Sequence, residues 1–184
     1  MTNIRQWFSS VSRWVFAHNR WSFFIALTLV ATGRLAYQIW SIYDSIPDLP
    51  KGALQMVGVG SDGARFVELD GHGYTTGVNR ITVLVVFDKP MHVEQGIFRF
   101  EAKRELVDCS KSQIEFQGAA FYDDQGHQTI SRVADKNKLK PFEPVDTEAT
   151  LVCAHEDFGQ PRVIGYRAAL AQTQAAISGA YVGY

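Results

Sequence analysis

Alternation of apolar and polar residues between positions 54 and 133 predicts a series of β-strands joined by short turns. The segment RITVLVVF, residues 80–87, is β-branched or aromatic at most positions, which predicts a central strand buried on both faces. The runs QIEFQGAAFY and HQTISRV flank the turn residues Asp124, Gln125 and Gly126, a pattern typical of a β-hairpin. Short strands in series favour an antiparallel meander of about six strands.

The composition changes after Pro161, where alanine and glutamine become frequent. Small apolar residues recur near the helical period from Ile164 to Ala175, which predicts one carboxy-terminal helix over residues 162–178. TEATLVC, residues 147–153, is predicted as the strand that precedes it. An open sheet needs cover for its apolar face, so we expect this helix to pack on the sheet. The predicted fold class is therefore α+β, over residues 53–184.

A long apolar run near the amino terminus predicts a membrane segment. The run from Trp21 to Trp40 is interrupted by Arg34, and about 20 residues suffice for a helix to cross a bilayer. We therefore expect a single transmembrane helix, a signal anchor, over residues 21–44. Two interpretations of Arg34 remain open, since its long side chain can snorkel to the outer interface or pair with a group on a partner's membrane helix.

The charges on either side of this run predict its orientation. Arginines such as Arg20 precede the run and Asp44 follows it, so the positive-inside rule places the amino terminus in the cytoplasm. After a linker over residues 45–52, the folded domain would then lie in the periplasm. A secretory signal cleaved near Gly33 is the alternative.

Residues 1–20 carry an amphipathic pattern, and we expect this segment to be cytoplasmic. Five apolar residues share one helical face, namely Trp7, Phe8, Val11, Trp14 and Val15. Such a stripe suits the inner headgroup layer of a bilayer or the surface of a membrane-protein partner. We expect these five residues, together with Trp21, Arg34 and Trp40, to contact lipid or a partner.

The two cysteines, Cys109 and Cys153, do not belong to a CxxC pair. In an extracytoplasmic domain a disulfide between them is the expected state, and two buried free thiols are the alternative. The formal net charge of -1 gives no strong field that would attract nucleic acid.

No motif of catalysis or cofactor binding stands in the context that it requires. GxSxG, HExxH and GxxxxGK[ST] are missing. GVGSDG, residues 58–63, has the spacing GxGxxG, but it leads into a predicted strand and lacks the following helix that a nucleotide site requires. The consecutive residues His155, Glu156 and Asp157 are ill placed to ligate one ion together, and Asp123 and Asp124 suit a turn better than a calcium loop. We expect a protein that is not an enzyme and has no metal, cofactor or small-molecule substrate.

Four segments together give a family resemblance over roughly residues 54–153: FVELDGHGYTTGVNRITVLVVFDKP, LVDC, FYDDQGHQT and FEPVDTEATLVC. In strands, turns and cysteine positions they resemble the surface-adhesin protein E family of Gram-negative bacteria. The resemblance implies an antiparallel sheet of about six strands, with a carboxy-terminal helix tethered by a disulfide. It also implies binding of host matrix and serum proteins at the cell surface.

Two functional hypotheses follow from these features. The first is a non-catalytic, membrane-anchored periplasmic protein-binding domain, an accessory subunit of a larger inner-membrane complex. The second is a secreted or surface-exposed adhesin-like protein that binds host matrix proteins.

Overall fold

The computed structural model describes residues 24–25, 27–40, 42, 46–69, 76–133, 140–141, 147–154 and 162–179. The chain divides into two compact units, Met1–Tyr43 and Asp44–Tyr184. The second unit contains the sheet and both candidate cysteines.

In the first unit, the described residues between positions 24 and 42 are helical and form α1. Its large apolar side chains are exposed, with Leu29 at 67% and Val30 at 69%. Within the described part of the chain, no helix combines the length and the apolar character that a membrane crossing requires. The predicted transmembrane helix over residues 21–44 was therefore wrong. Arg34, Gln38 and two threonines lower the apolar character of the described helical residues.

The described residues of the second unit form one antiparallel sheet of eight strands and two helices. Seven strands follow the spatial order β6-β5-β4-β3-β2-β1-β8, and β7 pairs with β5 beside this path. Their bounds are β1 Ala53–Val59, β2 Gly63–Glu68, β3 Val78–Val93, β4 Gly96–Asp108, β5 Gln113–Tyr122, β6 Gln128–Val133, β7 Lys140–Pro141 and β8 Arg162–Ile164. The helices are α2 Thr147–Ala154 and α3 Gly165–Ile177.

The predicted antiparallel sheet and the carboxy-terminal helix packed on it are present, whereas two details of the prediction besides the membrane helix were wrong. The sheet has eight strands where about six were expected, because Lys140–Pro141 and Arg162–Ile164 add short edge pairings. TEATLVC is the helix α2 and not a strand, because in helical form it buries Ala149 and Val152 together against the sheet.

Strand β3 lies in the middle of the sheet and is buried on both faces. Leu84 and Val86 join one apolar cluster, whereas Ile81 and Val83 join a second on the opposite side. Helix α3 packs on the first cluster through Ala169, and α2 packs on the second through Val152. We call these two sides of the sheet the α3 face and the α2 face.

On the α3 face, aromatic side chains hold the covering segments to the sheet. The ring of Tyr166, in α3, meets that of Phe100 edge-on at 5.2 Å between centroids. Tyr122 donates a 2.7 Å hydrogen bond to the carbonyl of Pro47, and burial raises the pKa of Tyr122 to about 12. Residues 46–50, predicted as part of a linker, therefore contribute Leu49 to this core.

On the α2 face, a disulfide joins helix and sheet. Cys109, which follows β4, is bonded to Cys153 of α2, with 5.3 Å between their Cα atoms. This is the pair predicted from the sequence. The two cysteines are 44 residues apart, and in the chain-entropy model closing such a loop stabilises the fold by about 4 kcal/mol.

The turn that presents Cys109 is organised by Asp108. Its Oδ1 accepts hydrogen bonds from the Ser110 hydroxyl at 2.6 Å and from the backbone N–H groups of Ser110 and Lys111. Its Oδ2 accepts one from the Lys111 Nζ at 2.9 Å. The bonds from Ser110 and Lys111 hold the pKa of Asp108 at about 2, below its ordinary value of 3.8.

Replacing Phe100 by alanine tests the core of the α3 face. Phe100 is fully buried, so Phe100→Ala is expected to lower the free energy of unfolding by about 3 to 5 kcal/mol in urea titrations. Ile97→Ala is the control in the same strand. Its side chain is 49% exposed, and a loss of about 0.5 kcal/mol or less is expected. Equal losses in both variants would contradict the assigned burial.

Replacing Asp108 by asparagine tests the turn through its pH dependence. Because the carboxyl pKa is lowered in the folded protein, the unfolded chain takes up this proton first as the pH falls. The stabilisation by Asp108 is therefore complete above about pH 4 and is lost towards pH 2. Unfolding titrations should show this decline in the wild type and a smaller one in Asp108→Asn. Parallel pH profiles for the two proteins would refute the proposed role of the carboxylate.

Candidate functional site

A groove of about 410 Å³ opens on the α2 face, beside the β1–β2 hairpin. Residues of the hairpin line the groove together with Val85 and Phe87 of β3 and Thr147 at the start of α2. Its volume lies in the range of sites for small molecules or for one or two inserted side chains. The hairpin residues that line it are Gly58, Val59, Gly60, Ser61, Asp62, Gly63, Ala64 and Arg65.

Glycines give this groove its shape. A Cβ atom at Gly63 would collide with the Val86 carbonyl, so only glycine allows the hairpin to approach β3 so closely. At Gly58 a Cβ atom would meet nothing within 4 Å, so the space above this residue belongs to the groove. The pairing of β1 with β2 shifts register between Met56 and Gly58, and such bulges redirect side chains.

Arg65 places an exposed positive charge at the groove. The Arg65 side chain is 52% exposed, and its Nη1 lies 3.7 Å from Oε1 of Glu148, which is 8% exposed. The pair joins a half-exposed arginine to a buried carboxylate, and it connects the hairpin to the first turn of α2. The guanidinium has five N–H donors in a planar fork, so it retains donors for a carboxylate on a binding partner.

An aromatic row extends the groove across the sheet. Phe87 meets Phe98 edge-on at 5.5 Å between ring centroids, and Phe98 lies 4.9 Å from Phe121. Beyond Phe98, strands β3 and β4 continue as a hairpin, in which Met91 pairs with Phe98. Met91 and Val93 are 42% and 40% exposed. Aromatic and apolar side chains next to an arginine are the composition that protein interfaces favour at their centres.

The residues predicted to contact lipid or a partner do not form this groove. Trp7, Phe8, Val11, Trp14, Val15 and Trp21 lie outside the described residues. Arg34 and Trp40 are exposed residues of α1, in the first unit, and the Trp40 ring lies 6.4 Å from that of Tyr37. The contacts of Arg34 and Trp40 with lipid or a partner stay predictions.

The structure also bears on the other chemistry considered in the sequence. Within the described residues, no group of three or more histidine, cysteine, aspartate or glutamate side chains is placed to hold a metal ion. His155, Glu156 and Asp157 lie outside these residues. The Asp123 carboxylate serves the β5–β6 turn, where it accepts hydrogen bonds from the backbone N–H groups of Gln125 and His127.

Sequence reasoning missed the groove, although one signal for it was present. The segment GVGSDG, residues 58–63, has the spacing of a nucleotide-binding loop, but strand β2 follows it where such a loop needs a helix. Three glycines in six residues between two strands indicate instead a hairpin whose backbone is bare of side chains.

Comparisons of the chain with protein-family models, with curated proteins and with solved structures find no match. The resemblance to the surface-adhesin protein E family therefore stays a prediction from the quoted segments.

Proposed function

We propose that the second unit is a non-catalytic protein-binding domain of an extracytoplasmic compartment, and that its groove takes an extended segment of another protein. The observation that carries this proposal is the groove itself, in which bare glycine backbone, the Val85 and Phe87 side chains and the exposed Arg65 meet. An extended segment can place an apolar side chain in such a groove and bond its own backbone to the exposed hairpin.

The disulfide supports the proposal that the domain lies in an extracytoplasmic compartment. Bonds such as Cys109–Cys153 persist in oxidising spaces such as the bacterial periplasm and are rare in the reducing cytosol.

The charge at the groove defines the chemistry of the partner. Arg65 lines the groove, and its positively charged side chain is about half exposed. An acidic side chain on the bound segment can therefore pair with it. The apolar lining of Val85 and Phe87 suits a neighbouring aliphatic or aromatic side chain. The expected partner is a protein segment that carries an acidic residue beside an apolar one.

Filling the groove tests this proposal. In Gly58→Val the new side chain enters open space, and valine suits a strand better than glycine, so stability should be equal or up to about 1 kcal/mol higher. Peptides selected from a random displayed library on the wild-type protein should bind Gly58→Val at least tenfold more weakly, a loss of about 1.4 kcal/mol. Fluorescence polarisation of a labelled selected peptide gives the affinities.

The control is Ser131→Val, which introduces valine at an exposed position of strand β6, away from the groove. It should bind the peptide as tightly as the wild type does. In Arg65→Gln, peptides with an acidic residue should lose affinity and their neutral analogues should not. Selected peptides that bind the wild type and Gly58→Val equally would exclude the groove as the binding site.

A further inference from the structure

We infer that the groove is redox-gated: reduction of the Cys109–Cys153 disulfide releases α2 and abolishes binding of a protein segment in the groove. The inference rests on the proposed function and adds a regulation to the same site. It depends on the fact that α2 takes part in both features, since Thr147 lines the groove and Cys153 carries the disulfide.

Helix α2 connects the two features over a short distance. Thr147 and Cys153 are six residues apart, which corresponds to about 9 Å along a helix. At the groove end, Glu148 lies 3.7 Å from Arg65. A displacement of α2 would therefore remove Thr147 from the lining of the groove and the acidic neighbour of Arg65 together.

The disulfide is the strongest described restraint on α2. The helix has only eight residues, and helices shorter than about 12 to 15 residues are marginal by themselves in water. Its last turn contains no basic residue that would favour the carboxyl end of the helix dipole. Packing of Ala149, Leu151 and Val152 holds it non-covalently, and the arginine that meets Glu148 is half exposed.

The disulfide lies where solvent reaches part of both cysteines. Both cysteines are partly exposed, in contrast to the fully buried Val107 and Val152 beside them. A thiolate of a dithiol reductant attacks one sulfur, and its second thiol then closes a ring, which leaves the oxidised reductant as a cyclic disulfide. Two electrons pass to the protein, and Cys109 and Cys153 each end as a thiol. A disulfide oxidant reverses the step by accepting the same two electrons.

The consequence is a binding site that is complete only in an oxidising space. A chain still in a reducing compartment would not hold α2 against the sheet, and Thr147 would no longer line its groove. By thermodynamic linkage, if reduction weakens binding by a given factor, a bound segment should lower the equilibrium constant for reduction of the disulfide by the same factor.

Amide hydrogen exchange of the full chain, with and without dithiothreitol, tests the release of α2. Reduction should raise exchange in Thr147–Ala154 by about tenfold or more, while β3 and α3 keep their protection. Cys153→Ser without reductant should give the same pattern, because it lacks the bond. Unchanged exchange in α2 would overturn the inference, and so would loss of protection throughout the sheet, since α2 would then not move as a separate element.

Binding measurements test the effect on the groove. The peptide selected on the oxidised protein should lose about tenfold or more in affinity for the reduced protein, which lies in the range of common coupling between sites. Equal affinity for both forms would overturn the gating even if α2 is released. If no selected peptide binds the oxidised protein in the groove, the proposed function fails, whereas release of α2 is still decided by the exchange data alone.

Discussion

The burial of strand β3 on both of its faces is the constraint on which the rest of the second unit depends. Leu84 and Val86 need cover on one side, and Ile81 and Val83 need it on the other. A single covering helix would leave a strip of apolar surface in water, at a cost of about 25 cal/mol for each Å². The chain resolves this with two helices of unequal length, the 13-residue α3 and the eight-residue α2. The shorter one is also the one bonded to the sheet through a disulfide.

The sequence predicted those parts of the fold in which local pattern and tertiary environment agree. β-branched residues of β3 signal burial on both faces, and the structure places this strand at the centre of the sheet. The Cys109–Cys153 pair was predicted from the expected compartment. TEATLVC shows where such agreement fails, because a segment of seven residues is too short for its pattern to distinguish a strand from a helix. Its helical form is decided by the sheet against which Ala149 and Val152 pack, a contact between distant parts of the chain.

The groove could not be predicted, for a different physical reason. It is formed by backbone and by register: a bulge between Met56 and Gly58, and a close approach of Gly63 to Val86. Neither feature leaves a periodic trace in the sequence, because glycine contributes no side chain to an apolar or polar pattern. Arg65 likewise gives no sign in the sequence that its side chain lies near Glu148, 83 positions further along the chain. The apolar composition around α1 predicted a helix that crosses a bilayer. The described residues of α1 do not form a helix that is long and apolar enough to do so.

The unequal lengths of the two helices explain why the groove lies on the α2 face. Seven strands at about 4.8 Å spacing make a sheet roughly 29 Å wide, whereas an eight-residue helix is only about 12 Å long. Of the two helices packed on the sheet, α2 therefore covers only part of its face. Val85, Phe87 and Phe121 remain half-buried. On the opposite side, α3 is longer, and its Tyr166 reaches the Gln125 carbonyl in the β5–β6 turn. Among the described residues, half-buried apolar side chains are thus left beside the shorter helix, where Thr147 also lines the groove.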